Sequence, residues 1–104
     1  MKLLIITSVQ EYEKYLPELF KKAEIKQFSS TNIKGYNSTD ADTLTGNWFS
    51  SADDDYELNS SLYFTFTSAE LIEKMMEQVT EFNLKINGQN PIHAIVLGVE
   101  KFVN

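Results

Sequence analysis

The sequence contains no cysteine and no arginine, and only four glycines and two prolines. Without cysteine there can be no disulfide framework, no thiolate nucleophile and no cysteine-based zinc site. No fully apolar run exceeds four residues, and residues 3–6 form one of them. Such runs are too short to span a bilayer or to form the core of a signal peptide. A cytoplasmic protein that is not itself membrane-inserted is therefore expected. All nine bases are lysine. The planar fork that grips phosphates and carboxylates bidentately is missing, which weakens anion binding. A formal net charge of −6 with no basic cluster excludes nucleic acid as an expected partner.

What is present suits a globular fold. The 104 residues are 42% hydrophobic and 12% aromatic, enough for one domain, taken as 1–104, with its own core. The acidity is localised. Asp40, Asp42, Asp53, Asp54, Asp55 and Glu57 lie between Tyr36 and Ser60 without a lysine among them. These six acids equal the net charge, so a neutral body carries one acidic segment. That segment reads either as a solvated loop or as a loop that contacts a metal or a partner.

Residues 3–6 suit a strand buried on both faces. Ser8 and Glu11 have the spacing of a capping box, which predicts a helix start there. Val9, Tyr12, Leu16, Leu19, Phe20 and Ala23 follow at helical spacing, and Pro17 predicts a kink or a late restart. Residues 25–34 read as a second strand with a bulge, ended by Gly35. Residues 36–60 form a long polar loop. In residues 61–67, Leu62, Phe64 and Phe66 alternate with Tyr63 and Thr65, as expected of a strand. Thr67 and Glu70 form a second capping box ahead of the stripe Leu71, Ile72, Met75, Met76, Val79 and Phe82. The two methionines fit core filling. A turn over residues 87–91 and an apolar strand over 94–99 complete the chain.

The order is β-α-β, long loop, β-α-β. This predicts an α+β fold, the ferredoxin-like β-α-β-β-α-β sandwich, with both helices on one face of a four-stranded antiparallel sheet. The Tyr63 and Thr65 parity is assigned to the face away from the helices. That face would be partly apolar, so an oligomer that buries it is expected.

The fold alone does not assign a function. Thr31-Asn32-Ile33-Lys34-Gly35-Tyr36, however, resembles the Thr-Glu-Val-Lys-Gly-Phe segment of PII signal-transduction proteins. The Met-Lys opening and the Lys-Gly position fall at similar distances from the start. Gly98-Val99-Glu100-Lys101-Phe102-Val103 is similar in pattern to that family's last strand. The resemblance implies a homotrimer that senses a small effector at subunit clefts. It also implies a T-loop, here residues 36–60, that docks on a regulated protein such as a membrane transporter. Nitrogen regulation is the family's pathway. The family's Thr-Gly-x-x-Gly-Asp-Gly-Lys loop is replaced by residues 83–91 with Gly88 as their single glycine, and the C-terminal arginines have no counterpart. The classical ATP or ADP site is therefore not expected, and no cofactor is assigned.

Several residues are candidates for contacts. Gly35 serves either as a glycine allowing positive φ or as a point of close backbone approach to a ligand. Ser29, Thr31 and Asn37 could donate hydrogen bonds on the same side, with Gly88 in the later turn. In the long loop, Gly46, Asn47, Trp48 and Phe49 suggest a docking tip, and Asp53, Asp54, Asp55 and Tyr56 an acidic contact surface. The alternative reading is a trimer similar to CutA that binds divalent metal through three-fold repeated His93 or the acidic loop. His93 is the single histidine, and one histidine alone does not make a metal site. No nucleophile elbow, phosphate loop or histidine pair is present, so an enzyme is not expected.

Overall fold

The structure, a computed structural model, describes residues 1–36, 57–87 and 89–104. Strand β1 (Lys2–Val9) leads through a 3-10 turn (Gln10–Tyr12) into helix α1 (Leu16–Lys22). Strands β2 (Ser29–Tyr36) and β3 (Glu57–Thr67), helix α2 (Ala69–Lys85) and strand β4 (His93–Gly98) follow. The sheet order is β2-β3-β1-β4, and every neighbouring pair is antiparallel. Each β-α-β unit thus brackets a strand of the other, which is the ferredoxin-like arrangement expected from the sequence.

The local signals were displaced by a residue or more. Ser8 does not cap a helix. It lies in β1 opposite Ser61, and its Oγ donates to the Val9 carbonyl. Pairing with β3 extends β1 through Val9, so α1 starts only at Leu16, with Pro17 in its first turn where a missing N–H is harmless. The second cap is Ser68 rather than Thr67: its Oγ accepts from the Leu71 N–H at 3.3 Å. Strand β2 starts at Ser29, beyond Ile25 and Phe28, and pairs with β3 without the expected bulge. Gly35 does not end the strand but pairs within it, opposite Leu58. Strand β3 begins at Glu57, so Tyr36 and residues 57–60 belong to the sheet rather than to the long loop.

Helix α1 ends in a Schellman motif. The Ile25 N–H donates to the Phe20 carbonyl and the Glu24 N–H to that of Lys21, with Glu24 at φ 65°. This turn drives Ile25 into the core. Leu4 and Ile6 of β1, Leu16, Phe20 and Ala23 around α1, and Met75 of α2 are fully buried there. Phe20 stacks on Phe28 with centroids 4.1 Å apart, and Tyr63 tilts against both rings.

Candidate functional site

The helices cover one face of the sheet, and side-chain alternation decides what the other face presents. Register places Phe66, Leu3 and Leu97 in one row across three strands, and Phe64, Ile5 and Ile95 in the next. Phe66 (55%), Leu97 (46%), Ile95 (41%) and Phe64 (37%) are exposed. The Phe64 and Phe66 rings meet edge to face. The parity expected of β3 is therefore reversed. Tyr63 and Thr65 point into the core, where Thr65 Oγ1 donates to the Gln27 carbonyl at 2.6 Å. The phenylalanines point away from the helices. The polar groups of the inward parity can be satisfied locally. The outward parity instead forms one contiguous apolar surface, the usual mark of a contact face.

The next row across the sheet is Thr31, Leu62, Thr7 and His93. The structure thus brings Thr31 and His93 to the same face as the apolar rows, at opposite edges. Three strand spacings separate them, roughly 14 Å. Ser29 lies in register with Phe64, and Gly35 lies in the same strand. Ser29 and Thr31 are exposed and Gly35 is buried. Burial holds the His93 imidazole below its ordinary pKa. Asn37, Gly88, Gly46, Asn47, Trp48, Phe49, Asp53, Asp54, Asp55 and Tyr56 lie outside the described residues. Among the described residues, no group of three or more histidine or acidic side chains could hold a metal ion, so none assembles around His93.

The turn before β4 is clamped. Asn83 Oδ1 accepts from the Ile92 N–H at 2.8 Å, and its Nδ2 donates to the Ile92 carbonyl at 3.0 Å. Tyr12 reaches across from the 3-10 turn, its hydroxyl donating to the Gln89 carbonyl at 3.1 Å. Burial is the main cause that raises the Tyr12 pKa, with Glu11 adding to it. Asn83→Ala should lose both bonds to Ile92 and destabilise the chain by about 1–3 kcal/mol. Urea unfolding with an unchanged m-value is the check, and a loss below about 0.5 kcal/mol would remove the clamp.

Two further features were not legible in the sequence. Glu13 accepts from Ser61 Oγ at 2.7 Å, tying the segment after the 3-10 turn to β3. Ser61 is 1% exposed, so its hydroxyl is a tie and not an accessible nucleophile. Tyr63 lies beside this tie, its pKa raised chiefly by burial. A cleft of about 250 Å³ runs between the two helices, with Tyr15 and Phe82 among its walls and Glu18, Lys22, Glu81 and Lys85 around it. Tyr12, Tyr15 and Phe82 form an aromatic cluster beside it. The helical stripe placed Phe82 on the core side, but nothing in the spacing paired it with Tyr15.

No protein-family profile and no curated protein matches the sequence. Solved structures do. A PII-like signalling protein from Thermus thermophilus superposes with a TM-score of 0.58 at 21% identity, over 91% of this chain and 82% of that one. A nitrogen regulatory PII-like protein from Thiomonas intermedia, CPII, was solved bound to ADP, AMP and bicarbonate. It superposes with a TM-score of 0.61 at 13% identity, over 98% of this chain and 94% of that one. No described helix is long and apolar enough to cross a membrane. The resemblance carried by the segment from Thr31 to Tyr36 thus extends to the architecture of nearly the whole chain, which has the fold of PII-like signalling proteins.

Proposed function

We propose that this chain is a PII-like regulatory protein, not an enzyme, that acts as a homotrimer. It senses a small effector at the clefts between subunits and contacts a regulated protein through the segment between β2 and β3. The observation that carries the reading is the apolar free face of the sheet. A monomer would leave Phe64, Phe66, Ile95 and Leu97 in water, and an assembly of copies covers them. Ser29 and Thr31 on the β2 edge and His93 on the β4 edge are too far apart to hold one small molecule within a subunit. Between subunits, the edge of one sheet can meet the edge of another, which suits a shared cleft. Gly35 and Asn37, near the end of β2, and Gly88 before β4 complete the proposed contacts. Gly46, Asn47, Trp48, Phe49, Asp53, Asp54, Asp55 and Tyr56 are assigned to the partner, with a membrane transporter and nitrogen regulation as the family precedent.

Two of the ligands of CPII, ADP and AMP, are nucleotides and the third is bicarbonate. Lacking arginine, this chain has no bidentate cation for a phosphate and would rely on lysine, side-chain hydroxyl and amide, and backbone groups, so bicarbonate and AMP place the smaller demand on it. Thermal unfolding against ADP, AMP, bicarbonate and 2-oxoglutarate tests the sensing role. A ligand at a hundred times its dissociation constant adds about 2.7 kcal/mol, a rise of several degrees. A reproducible rise with at least one of them is expected. A flat response to all four contradicts effector sensing of the family type.

A further inference from the structure

The cleft between α1 and α2 lies on the helical side of the sheet, away from the apolar free face. Strands β1 and β2 both run antiparallel to β3, and β3 and β4 both run antiparallel to β1. The helix joining each parallel pair runs back against it, so α1 and α2 are antiparallel to each other. The start of α1 therefore meets the last turn of α2, where the Tyr15 and Phe82 ring centroids stand 5.6 Å apart.

Each helix lines the cleft with the same pattern: an acid, an apolar residue beside it, and a lysine one turn beyond the acid. In α1 these are Glu18, Leu19 and Lys22, and in α2 Glu81, Phe82 and Lys85. The apolar members are sunk, Leu19 being buried and Phe82 half-buried, while the four charged side chains are exposed. At this spacing an acid and a lysine on one helix are within reach of each other. Among the described residues none of these four makes an ion pair, whereas Glu24, just past α1, does pair with Lys74 of α2.

We propose that this cleft binds an aromatic α-amino acid. Its volume of about 250 Å³ lies just below the roughly 300–1,000 Å³ of pockets for drug-sized ligands, which suits a molecule of amino-acid size. The ligand ring packs on Leu19 and against the Tyr15 and Phe82 rings. The rim holds two acids and two lysines, so a ligand of one sign meets as much repulsion as attraction. A zwitterion pairs with both. An α-amino acid carries its ammonium and carboxylate on one carbon, and each helix offers the complementary acid and lysine one turn apart. The Lys14 ammonium already stands 5.1 Å from the Tyr15 ring centroid, so the cation attraction of that ring is in use and the carboxylates take the ligand's ammonium. The site does not depend on the proposed assembly, and its test is independent of it.

Backbone amide chemical shifts of the full chain, titrated at about pH 7 with L-phenylalanine, 3-phenylpropionate and phenethylamine, test this. L-Phenylalanine is expected to give saturable shifts centred on residues 15–22 and 78–85, with a dissociation constant of about 1 mM or tighter. The two analogues keep the ring but carry one charge each, and should bind at least about threefold more weakly. Combining Glu18→Gln with Glu81→Gln removes the partners of the ammonium. It should weaken L-phenylalanine at least about threefold and leave 3-phenylpropionate as tight as before or tighter. A thermal melt verifies folding, and if that variant is unfolded, Lys22→Gln with Lys85→Gln gives the mirrored test with phenethylamine. No saturable shift below about 10 mM, or shifts confined to other parts of the chain, overturns the proposal. Equal binding of all three ligands, or an unchanged affinity in the folded double variant, overturns it as well.

Discussion

Phe64→Glu should yield a folded monomer. Phe64 lies on the free face between Ser29 and Ile5, is 37% exposed, and contacts the Phe66 ring. Its side chain contributes little to the core beneath the helices, so the single chain should lose no more than about 1 kcal/mol. In an assembly that covers the face, the same carboxylate would be stripped of water with no lysine among the described residues of the patch to pair it. Burying an uncompensated charge costs several kcal/mol. A loss of at least about 3 kcal/mol corresponds to more than a hundredfold in association. Light scattering of the variant, with a thermal melt to verify folding, makes the comparison. A variant that keeps the wild-type mass would place the subunit contact elsewhere.

The second large effect lies on the opposite side of the sheet. Phe20 is fully buried, stacked on Phe28 and tilted against Tyr63. Phe20→Ala removes the ring that joins α1 to β3 and to the segment leading into β2. Loss of transfer free energy plus the residual cavity should destabilise the fold by about 3–5 kcal/mol. For a domain of this size each kcal/mol lowers Tm by about 4–8 °C, so a fall of more than about 10 °C is expected. The free face lies on the other side of the sheet, so association should weaken only as far as the chain unfolds. A fall of less than about 3 °C would mean that the site collapses around the smaller side chain or that the stack contributes little.

These two substitutions also mark where the sequence could and could not be read. The element order, the antiparallel four-stranded sheet and the helical stripe Ile72, Met75 and Val79 were legible because hydrophobic period reports burial directly. The direction in which β3 faces was not. Alternation separates Phe64 and Phe66 from Tyr63 and Thr65 but does not say which set is inward. The single-chain assumption that the more apolar set fills the core fails when a second surface also needs covering. Tyr63 and Thr65 are inward because Thr65 has the Gln27 carbonyl to bond and Tyr63 has Phe20 and Phe28 to pack on. Those partners are remote in sequence. The capping signals erred for a related reason. Ser8 and Glu11 match a box, yet the sheet extends β1 through Ser8 opposite Ser61, so tertiary pairing outweighs a local motif. Of the candidate site, the β2 edge was visible through its Lys-Gly segment. The cleft between Tyr15 and Phe82 was not, since it requires the packing of two helices.

The same logic explains why the motif at Thr31 to Tyr36 was informative although short. It sits on an edge strand, exposed over most of its length, where packing imposes little on residue choice. In the core, by contrast, many apolar sequences satisfy the same fold. Similarity at an edge therefore carries information that similarity in the core does not. The extended fold likeness at low identity fits that view.

The measurement that tests the account most directly is the mass of the wild-type chain in solution at about pH 8, where the His93 imidazole is neutral. The account predicts a single species of three times the 11.9-kDa chain mass, sustained on dilution. A chain that sediments as an 11.9-kDa monomer at concentrations up to roughly 100 μM, where an association of about 5 kcal/mol would already be visible, would contradict it.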